Sequence, residues 1–274
     1  MRVPKPSELR ERLIVRPGTK VDLAAFDPQA TYGWKKPAGE QATDEQRDRL
    51  TELQDRLWAE GKHSILVVLQ GIDASGKDGT IRKVMEAFNP QGCVVSSFKV
   101  PTPIELAHDF LWRVHRRVPG KGEIGIFNRS HYEDVLVVRV HELVPRSVWS
   151  KRYRQIRDFE RTLADSGTTI IKFFLYIDRE EQRERFQERY DNPRKRWKFS
   201  MGDLEERGHW DSYISAYQDA LSETSTEYAP WYVIPANRNW LRNLAVSSIL
   251  ADTIAELEPA YPPAPDLPPG LVVT

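Results

Sequence analysis

The stretch Ser64-Ile-Leu-Val-Val-Leu-Gln70 runs directly into Gly71-Ile-Asp-Ala-Ser-Gly-Lys-Asp-Gly-Thr80, and this junction decides the fold. The first part is apolar, rich in β-branched residues and without alternation, which is typical of a strand buried on both faces of a parallel sheet. The second part has the frame Gly71-x4-Gly76-Lys77 and leads into a predicted helix over 79–88. A strand, a glycine-rich loop of this spacing and a helix, in this order, predict a P-loop that binds phosphate.

Each residue type in the loop has a physical role in holding phosphate. Small residues let successive backbone N–H groups wrap around the anion, the following helix N-terminus adds a favourable dipole, and Lys77 reaches the terminal phosphates. The predicted phosphate-binding members are Gly71, Ala74, Ser75, Gly76, Lys77, Asp78, Gly79 and Thr80. The alternative is a glycine-rich turn between a strand and a helix that binds nothing.

Two acidic residues make this loop unusual. Asp78 stands where the common motif has a Ser or Thr hydroxyl for Mg²⁺, and Asp73 places a carboxylate inside a loop that should hold polyanions. A carboxylate beside a phosphate is repulsive unless a cation lies between them, so Asp73 is a candidate Mg²⁺ ligand. Alternatively, Asp73 caps the turn or helix that follows it.

A second polar cluster follows another predicted strand, 123–127. Its members at or just past the strand end are Asn128, Arg129, Ser130, Glu133 and Asp134. Functional residues gather at the carboxyl ends of strands in doubly wound folds. Arg129 can make a bidentate, charge-assisted contact with phosphate. Asp134 is the preferred second metal ligand and Glu133 its rival; alternatively, both acids occupy the first turn of a helix, where its dipole favours them.

The rest of the chain alternates between strand and helix patterns. The predicted strands are 64–70, 93–100, 123–127, 169–177 and 231–234. Helical segments separate them, among them 105–117 and 204–221, which predicts an α/β fold with a five-stranded parallel sheet flanked by helices. We predict one domain over 43–257, whose first helix opens at Thr43 and stops at Gly61. An irregular N-terminal arm (1–42) precedes it, and a proline-rich tail (258–274) follows it.

Two basic segments accompany the predicted phosphate site. Arg82 and Lys83 follow the loop on the same helix, which suits a polyanionic substrate but also an ordinary solvated helix face. The segment 179–198 holds eight Lys/Arg, with Arg185 and Arg189 four apart on one helical face. In phosphoryl-transfer enzymes, a mobile basic segment can close over the donor and exclude water.

We therefore expect a helical lid at about 180–210, with Arg185, Arg189 and Lys198 as phosphate contacts. Trp197 lies in the same segment. It is a candidate for stacking on a base, although an aromatic residue at a helix junction is more often a packing residue.

Composition excludes several classes of protein. The 40 basic and 40 acidic residues balance, so no net field draws the molecule to nucleic acid or membrane. The single cysteine, Cys93, excludes an internal disulfide framework and fits a reducing compartment. The first residues lack a secretory pattern, and no apolar run approaches membrane-spanning length. We expect a soluble, cytoplasmic protein with neither nucleic acid nor membrane as a partner.

Several blocks of sequence together resemble the family-2 polyphosphate kinases. The blocks are Val67–Thr80, Asn89-Pro90, Phe98–Thr102, Asp109–His115, Phe127–Leu136, Arg196–Phe199 and Ala229–Ala236. The resemblance runs from about Leu50 to Leu250 and is strongest to the third class, which phosphorylates nucleoside mono- and diphosphates. Asp73 and Asp78, unusual for a general P-loop, are normal for this family.

The resemblance implies a P-loop kinase fold with a lid near 180–210, and homo-oligomers (a dimer or tetramer). It also implies reversible transfer of the terminal phosphoryl of polyphosphate to AMP, ADP, GMP or GDP, with Mg²⁺ or alternatively Mn²⁺. The expected catalytic residues are Asp73, Lys77, Asn128, Arg129 and Asp134, with Asp73 and Asp134 as metal ligands. Some members of the other classes carry aspartate where this chain has Asn128, so it stays open whether Asp73 or Asp134 does most of the metal work.

Two rival functions remain at this point. One is an ATP-dependent nucleoside monophosphate kinase of the same fold, although no base pocket for ATP as donor is evident in the sequence. The other is a non-catalytic protein that binds polyphosphate or nucleotide. Such a protein would be expected to lose the metal carboxylates, and both Asp73 and Asp134 are present.

Overall fold

The computed structural model describes residues 3–266, and one six-stranded sheet forms its centre. The strands are β1 (Ile14–Val15), β2 (Ser64–Gln70), β3 (Cys93–Ser97), β4 (Ile124–Asn128), β5 (Thr168–Tyr176) and β6 (Trp231–Pro235). Their order is β1-β6-β5-β2-β4-β3. The five strands from β6 to β3 run parallel, as the alternating pattern predicts, and β1 pairs antiparallel with β6. β2 is buried along its whole length.

Helices flank this sheet. They are α1 (Glu8–Leu13), α2 (Lys36–Glu60), α3 (Lys77–Val84), α4 (Pro103–Leu106), α5 (Trp112–His115), α6 (Val137–Val140), α7 (Arg146–Asp165), α8 (Arg179–Asp191), α9 (Met201–Gly208), α10 (Trp210–Thr224) and α11 (Asn239–Ala255). α7 packs on β5 and on α10, while α11 packs along α2 and beside α3. The apolar core lies between these layers and the sheet.

The order in which strands are added to the sheet changes side at β2. From β2 the chain crosses to the edge strand β3, returns to β4 beside β2, and then passes to β5 on the other side of β2. Leu69 of β2 lies opposite Asn128 of β4, and the Arg129 backbone N–H donates to Leu69 O at 3.1 Å. This switch point places the ends of β2 and β4 beside one crevice, where ligands bind in open α/β sheets.

The N-terminal arm is more regular than expected. It contains α1 and β1, and α2 begins at Lys36 rather than at Thr43 because Pro37 occupies the first turn, where a proline favours helix initiation. Thr43 lies inside the helix, and its hydroxyl donates to Gly39 O at 2.7 Å. The predicted stop at Gly61 is correct: this residue adopts a left-handed conformation and caps the helix through Leu57 O.

Two predicted helices are each divided in the structure. The segment predicted over 105–117 splits into α4 and α5, because the Asp109 carboxylate accepts the Leu111 N–H at 3.0 Å and forms a turn that competes with a continuous helix. The helix predicted from Leu204 divides at His209 into α9 and α10. α9 begins early because Ser200 and Asp203 form a capping box.

The segment predicted as a lid consists of α8, a short 3₁₀ turn over Arg196–Lys198, and α9. Residues 259–266 of the predicted tail carry no helix or strand, and 267–274 lie outside the described residues. Across the described chain, no helix combines the length and apolar character needed to cross a membrane. The domain boundaries stay a prediction.

Candidate active site

The loop between β2 and α3 is shaped by glycines that tolerate no side chain. A Cβ on Gly71 would stand 2.5 Å from Ser75 Oγ and 2.7 Å from Leu175 O, so this position needs glycine for space. Gly76 has φ +104°, and its Cβ would overlap the Arg242 guanidinium. Because of these constraints, the backbone folds tightly between the end of β2 and the first turn of α3, as the sequence frame predicts.

Lys77 is buried at the start of α3 and turns back over the loop. Its Nζ donates to Gly71 O at 2.6 Å. Burial, and after it the nearby charge of Arg129, lowers the pKa of Lys77 to about 8. The buried Ser75 hydroxyl has no hydrogen-bond partner among the described residues. The loop thus holds both a concealed cation and an unsatisfied hydroxyl, and a phosphate group is suited to pair with both.

Arg129 connects the end of β4 to the loop. Its Nη2 donates to Asp73 Oδ1 at 2.6 Å, and its Nη1 donates to Glu133 Oε2 at 3.2 Å. Burial opposes the charge of Arg129, but Glu133 and Asp73 outweigh it and raise the pKa of the guanidinium. Arg129 has φ +61°, a left-handed conformation that is uncommon for a residue with a side chain. Arg129 therefore has a strained backbone conformation, and its side chain lies between two carboxylates.

Of the two adjacent acids, the structure brings Glu133 and not Asp134 to the loop. Glu133 lines the same pocket as Asp73 and Arg129. Asp134 instead accepts from Arg152 at 2.9 Å, and burial, only partly offset by Arg152, raises its pKa to about 6. Consecutive residues in a 3₁₀ turn point about 120° apart, so only one of the two can face the pocket. The structure thus places Glu133, the rival candidate, at the pocket, while Asp134 as the second metal ligand stays a prediction.

Asn128 and Asp78 form a second link between β4 and the loop. Asn128 Nδ2 donates to Asp78 Oδ1 at 3.0 Å, and Lys198 Nζ lies 3.4 Å from Asp78 Oδ2. Burial opposes ionisation of Asp78, but its hydrogen bond from Asn128 and the charge of Lys198 lower its pKa overall. Asp78 thus joins the first turn of α3 to β4 and to the predicted lid segment.

The predicted lid rests directly on the phosphate loop. Gln182 Nε2 donates to Asp73 O at 3.0 Å, and Arg185 Nη1 donates to Ala74 O at 2.8 Å. Arg189 lies over the Phe186 ring at 5.4 Å and is only partly exposed. Trp197 is 78% exposed, with Lys198 Nζ at 5.2 Å from its ring centre. Arg185 and Lys198 therefore reach the loop region, while Trp197 packs against no core.

Two further basic residues, Arg82 and Lys83, lie on α3 with exposed side chains. Lys83 Nζ is 3.4 Å from Asp44 Oδ1 of α2. They follow the loop, as expected, but they face solvent rather than the pocket of Asp73.

The pocket has a far wall that sequence reasoning missed. Tyr213 and Tyr217 of α10 and Glu206 of α9 line it together with Asp73 and Glu133. Tyr213 Oη donates to Glu206 Oε2 at 2.7 Å. Tyr213 and Tyr217 are four residues apart, as expected for one face of a helix. No sequence signal predicts that this face lies opposite the phosphate loop.

A buried polar network supports the turn that carries Glu133. Lys172 Nζ donates to Glu160 Oε2 at 2.6 Å and to the Tyr132 hydroxyl at 2.9 Å, and Tyr132 in turn donates to Glu160 at 2.8 Å. Lys172, Glu160 and Tyr132 are fully buried, and His131 Nε2 lies 3.2 Å from Glu160. Burial lowers the pKa of Lys172 to about 8, against the attraction of Glu160. The network fixes Tyr132 immediately before Glu133.

The oxygen donors of the pocket fit a magnesium ion that is shared with a substrate. Within residues 3–266, no group of three or more His, Cys, Asp or Glu side chains forms a cage for a metal. Mg²⁺ does not need one, because it is commonly held by one or two carboxylates together with substrate phosphates and water. Asp73 and Glu133 meet that requirement, since both border the pocket and both are bonded to the same arginine.

Known proteins of one family are similar to this chain over most of its length. A family model described as Polyphosphate kinase 2 (PPK2) matches residues 33–262. The chain is 61% identical over 250 residues to the AMP/ADP-polyphosphate phosphotransferase of Meiothermus ruber, covering 90% of this chain and 94% of that protein. It is 47% identical over 258 residues to the ADP-polyphosphate phosphotransferase of Rhodopseudomonas palustris, covering 89% of each.

A solved structure of the same family has the same fold. The crystal structure of polyphosphate kinase 2 from Arthrobacter aurescens TC1 matches with a TM-score of 0.90 at 42% identity, covering 96% of this chain and 93% of that one. The fold and the family expected from the sequence blocks are both confirmed. The chain belongs to the polyphosphate kinase 2 family.

Proposed function

We propose that the protein transfers the terminal phosphoryl group of inorganic polyphosphate to AMP and to ADP. The observation that carries this proposal is the cluster in which Arg129 joins the loop residue Asp73 to Glu133, beside the buried Lys77. Membership of the family supports it, and the name of the Meiothermus relative includes both acceptors. This range of acceptors is that of the third class, to which the sequence blocks are most similar.

Transfer of a phosphoryl group needs little covalent help from the protein, so positioning and electrostatics should supply most of the acceleration. The loop holds a terminal phosphate, which we assign to the nucleotide. Lys77 and Arg129 neutralise charge on the migrating group. Polyphosphate runs along the neighbouring cations, among them Arg82 and Lys83.

Both central cations are occupied by protein groups in the structure. Lys77 donates to Gly71 O, and Arg129 is bonded to Asp73 and Glu133. A phosphate offers stronger charge-assisted hydrogen bonds than a backbone carbonyl does. We infer that substrate draws Lys77 and Arg129 from these contacts, which leaves the carboxylates of Asp73 and Glu133 available.

Asp73 and Glu133 would hold the divalent cation, Mg²⁺ or alternatively Mn²⁺. When bound, such a cation neutralises charge that develops on the phosphate oxygens. The lid residues add to the same effect. Arg185 touches the loop at Ala74 O and Lys198 touches the first turn of α3 at Asp78, so this segment would exclude water and bring further positive charge to the donor.

The test is nucleotide chromatography after incubation of pure protein with AMP, polyphosphate and Mg²⁺, beside a reaction with ATP as the only donor. We expect ADP and then ATP from polyphosphate. Product only with ATP as donor would identify a nucleoside monophosphate kinase instead. Binding without product in either reaction would favour a non-catalytic binding protein.

Four finer points go with this proposal as predictions. Reactions with GMP and GDP test whether guanine nucleotides are accepted, and incubation of ATP with a polyphosphate primer tests reversibility. A homo-oligomer, either dimer or tetramer, is checked by light scattering. A cytoplasmic location stays a prediction of the sequence.

A further inference from the structure

Arg242 is a buried cation that has no acidic partner among residues 3–266. It lies in the first turn of α11 and is 3% exposed. Its hydrogen bonds go to neutral amides, from Nη1 to Asn239 Oδ1 at 2.7 Å and from Nη2 to Asn243 Oδ1 at 2.9 Å. Burial, and then the charge of Arg185, lowers the pKa of its guanidinium to about 9, and no described acid offsets this effect.

The guanidinium of Arg242 packs against the backbone of the phosphate loop at Gly76 and of α3 at Gly79. A Cβ on Gly76 would overlap its Nη1, and a Cβ on Gly79 would stand 3.2 Å from its Nη2. Arg185 Nη1 is near the same point, 3.6 Å from the Gly76 Cβ position. The absence of side chains at both glycines thus allows this arginine to approach the backbone of the loop and of the first turn of α3.

Apart from its two amide partners, the surroundings of Arg242 oppose its positive charge when no ligand is bound. A buried charge without a counter-charge is costly. The N-terminal turns of α3 and α11 each carry partial positive charge, which adds to the cost. Arg242 therefore places an uncompensated positive charge beside the loop backbone and close to Lys77.

We propose that Arg242 is a positioning residue for phosphate, which increases the affinity of the loop for a polyanion through the backbone of Gly76 and Gly79 without touching the ligand. This inference rests on the proposed function, since it requires that the loop bind phosphate. Arg242 destabilises the protein alone, and a bound phosphate supplies the missing counter-charge.

The test replaces Arg242 by methionine, which keeps an unbranched apolar side chain and carries no charge. Isothermal titration with tripolyphosphate, and separately with ADP, measures affinity in the presence of Mg²⁺ and without turnover. We expect Arg242→Met to lower the affinity for the ligand that occupies the loop, tripolyphosphate or ADP, on the order of tenfold. The melting temperature of the variant without ligand should rise, and its increase on ligand binding should shrink. A residue that merely braces the fold would lower that melting temperature and leave affinity unchanged.

Two companion variants sharpen the experiment. Arg242→Lys keeps the charge and should retain most of the affinity. Arg49→Met removes an arginine of α2 that pairs with Asp252 of α11, away from the loop. This control should leave the affinity for both ligands unchanged.

The outcomes separate the two proposals. If the wild type binds neither tripolyphosphate nor ADP, the proposed function fails. If the wild type binds and Arg242→Met binds equally tightly, the inference about Arg242 is wrong while the function stands. An Arg242→Met variant that fails to fold contradicts the expected gain in stability and also overturns the inference.

Discussion

Arg129 Nη2 donates a hydrogen bond of 2.6 Å to Asp73 Oδ1, so the end of β4 is tied to the middle of the phosphate loop. These two residues are far apart in sequence and come from different strand–loop junctions. The same arginine also bonds Glu133, so one guanidinium neutralises both candidate metal ligands. The hydrogen bonds to Arg129 fix the positions of Asp73 and Glu133. When Arg129 binds substrate instead, both carboxylates become available for a cation.

Replacement of Asp73 by asparagine should abolish most of the activity and leave the fold intact. The amide keeps the shape of the side chain but loses the charge that binds both Arg129 and a cation. We expect kcat to fall by about 10²–10³-fold, with little change in melting temperature. Asp211→Asn, an exposed position in the first turn of α10, is the matched control and should retain wild-type turnover. Near-normal turnover of Asp73→Asn would show that this carboxylate is not a metal ligand.

The adjacent acids Glu133 and Asp134 should behave differently. Glu133→Gln removes a carboxylate of the pocket and should lower kcat by about 10²-fold or more. Asp134→Asn removes the negative charge that pairs with Arg152 and should change kcat by only a few-fold, with its main effect on thermal stability. Steady-state kinetics with varied Mg²⁺ decide between them. The opposite ranking would favour Asp134 over Glu133 as the metal ligand.

The pH profile of kcat/KM should report the charge of Lys77. Burial lowers its pKa to about 8, so its positive charge is present below this pH and is lost as pH rises through it. We therefore expect kcat/KM for polyphosphate to decline above about pH 8. A Lys77→Arg variant keeps its charge at every accessible pH and should lack this decline, even if its activity is lower. A decline at the same pH in Lys77→Arg would assign the titration to another group.

The buried pair of Lys172 and Glu160 should be costly to break on one side only. Lys172→Met leaves the Glu160 carboxylate without its cation in the interior, and we expect a loss of about 3–5 kcal/mol in the free energy of unfolding. The double variant Lys172→Met with Glu160→Leu removes both charges and should recover much of that loss. Urea denaturation measures both. Additive losses in the double variant would show that the pair is not coupled.

The contact between Lys198 and Asp78 predicts a role for the lid in binding. Lys198→Ala removes one positive charge near the loop and should raise KM for polyphosphate about fivefold, while kcat changes little. Lys195→Ala, which lies in the same segment but pairs with Glu188, is the control. An equal effect of both variants would point to a general loss of charge rather than to a specific contact.

The loop was predictable because its information is local. Gly71, Gly76 and Lys77 stand at fixed spacing after an apolar strand, and the physics of phosphate binding requires that order. The choice between Glu133 and Asp134 was not predictable, since adjacent residues differ only in the direction that a 3₁₀ turn gives them. The orientation is set by the buried Tyr132 and its network, which is assembled from β5, α7 and α10.

Contacts between residues distant in sequence could not be predicted from local sequence patterns either. Tyr213 and Tyr217 reach the pocket only because α10 packs against α6 and α7, and Arg242 reaches Gly76 only because α11 returns next to α3. β1 has two residues, too few for any periodicity to indicate a strand. Its place depends on pairing with β6, at the other end of the chain.

That pairing gives the N-terminal arm a protective role. β1 covers the outer side of β6, Arg10 reaches the Tyr232 hydroxyl at 3.2 Å, and Ser225 Oγ donates to Val15 O at 2.5 Å. An uncovered strand edge offers a row of free backbone groups to other chains and promotes aggregation. A shortened form that begins at α2 would uncover β6, so its solubility, rather than its chemistry, would be the first property to fail.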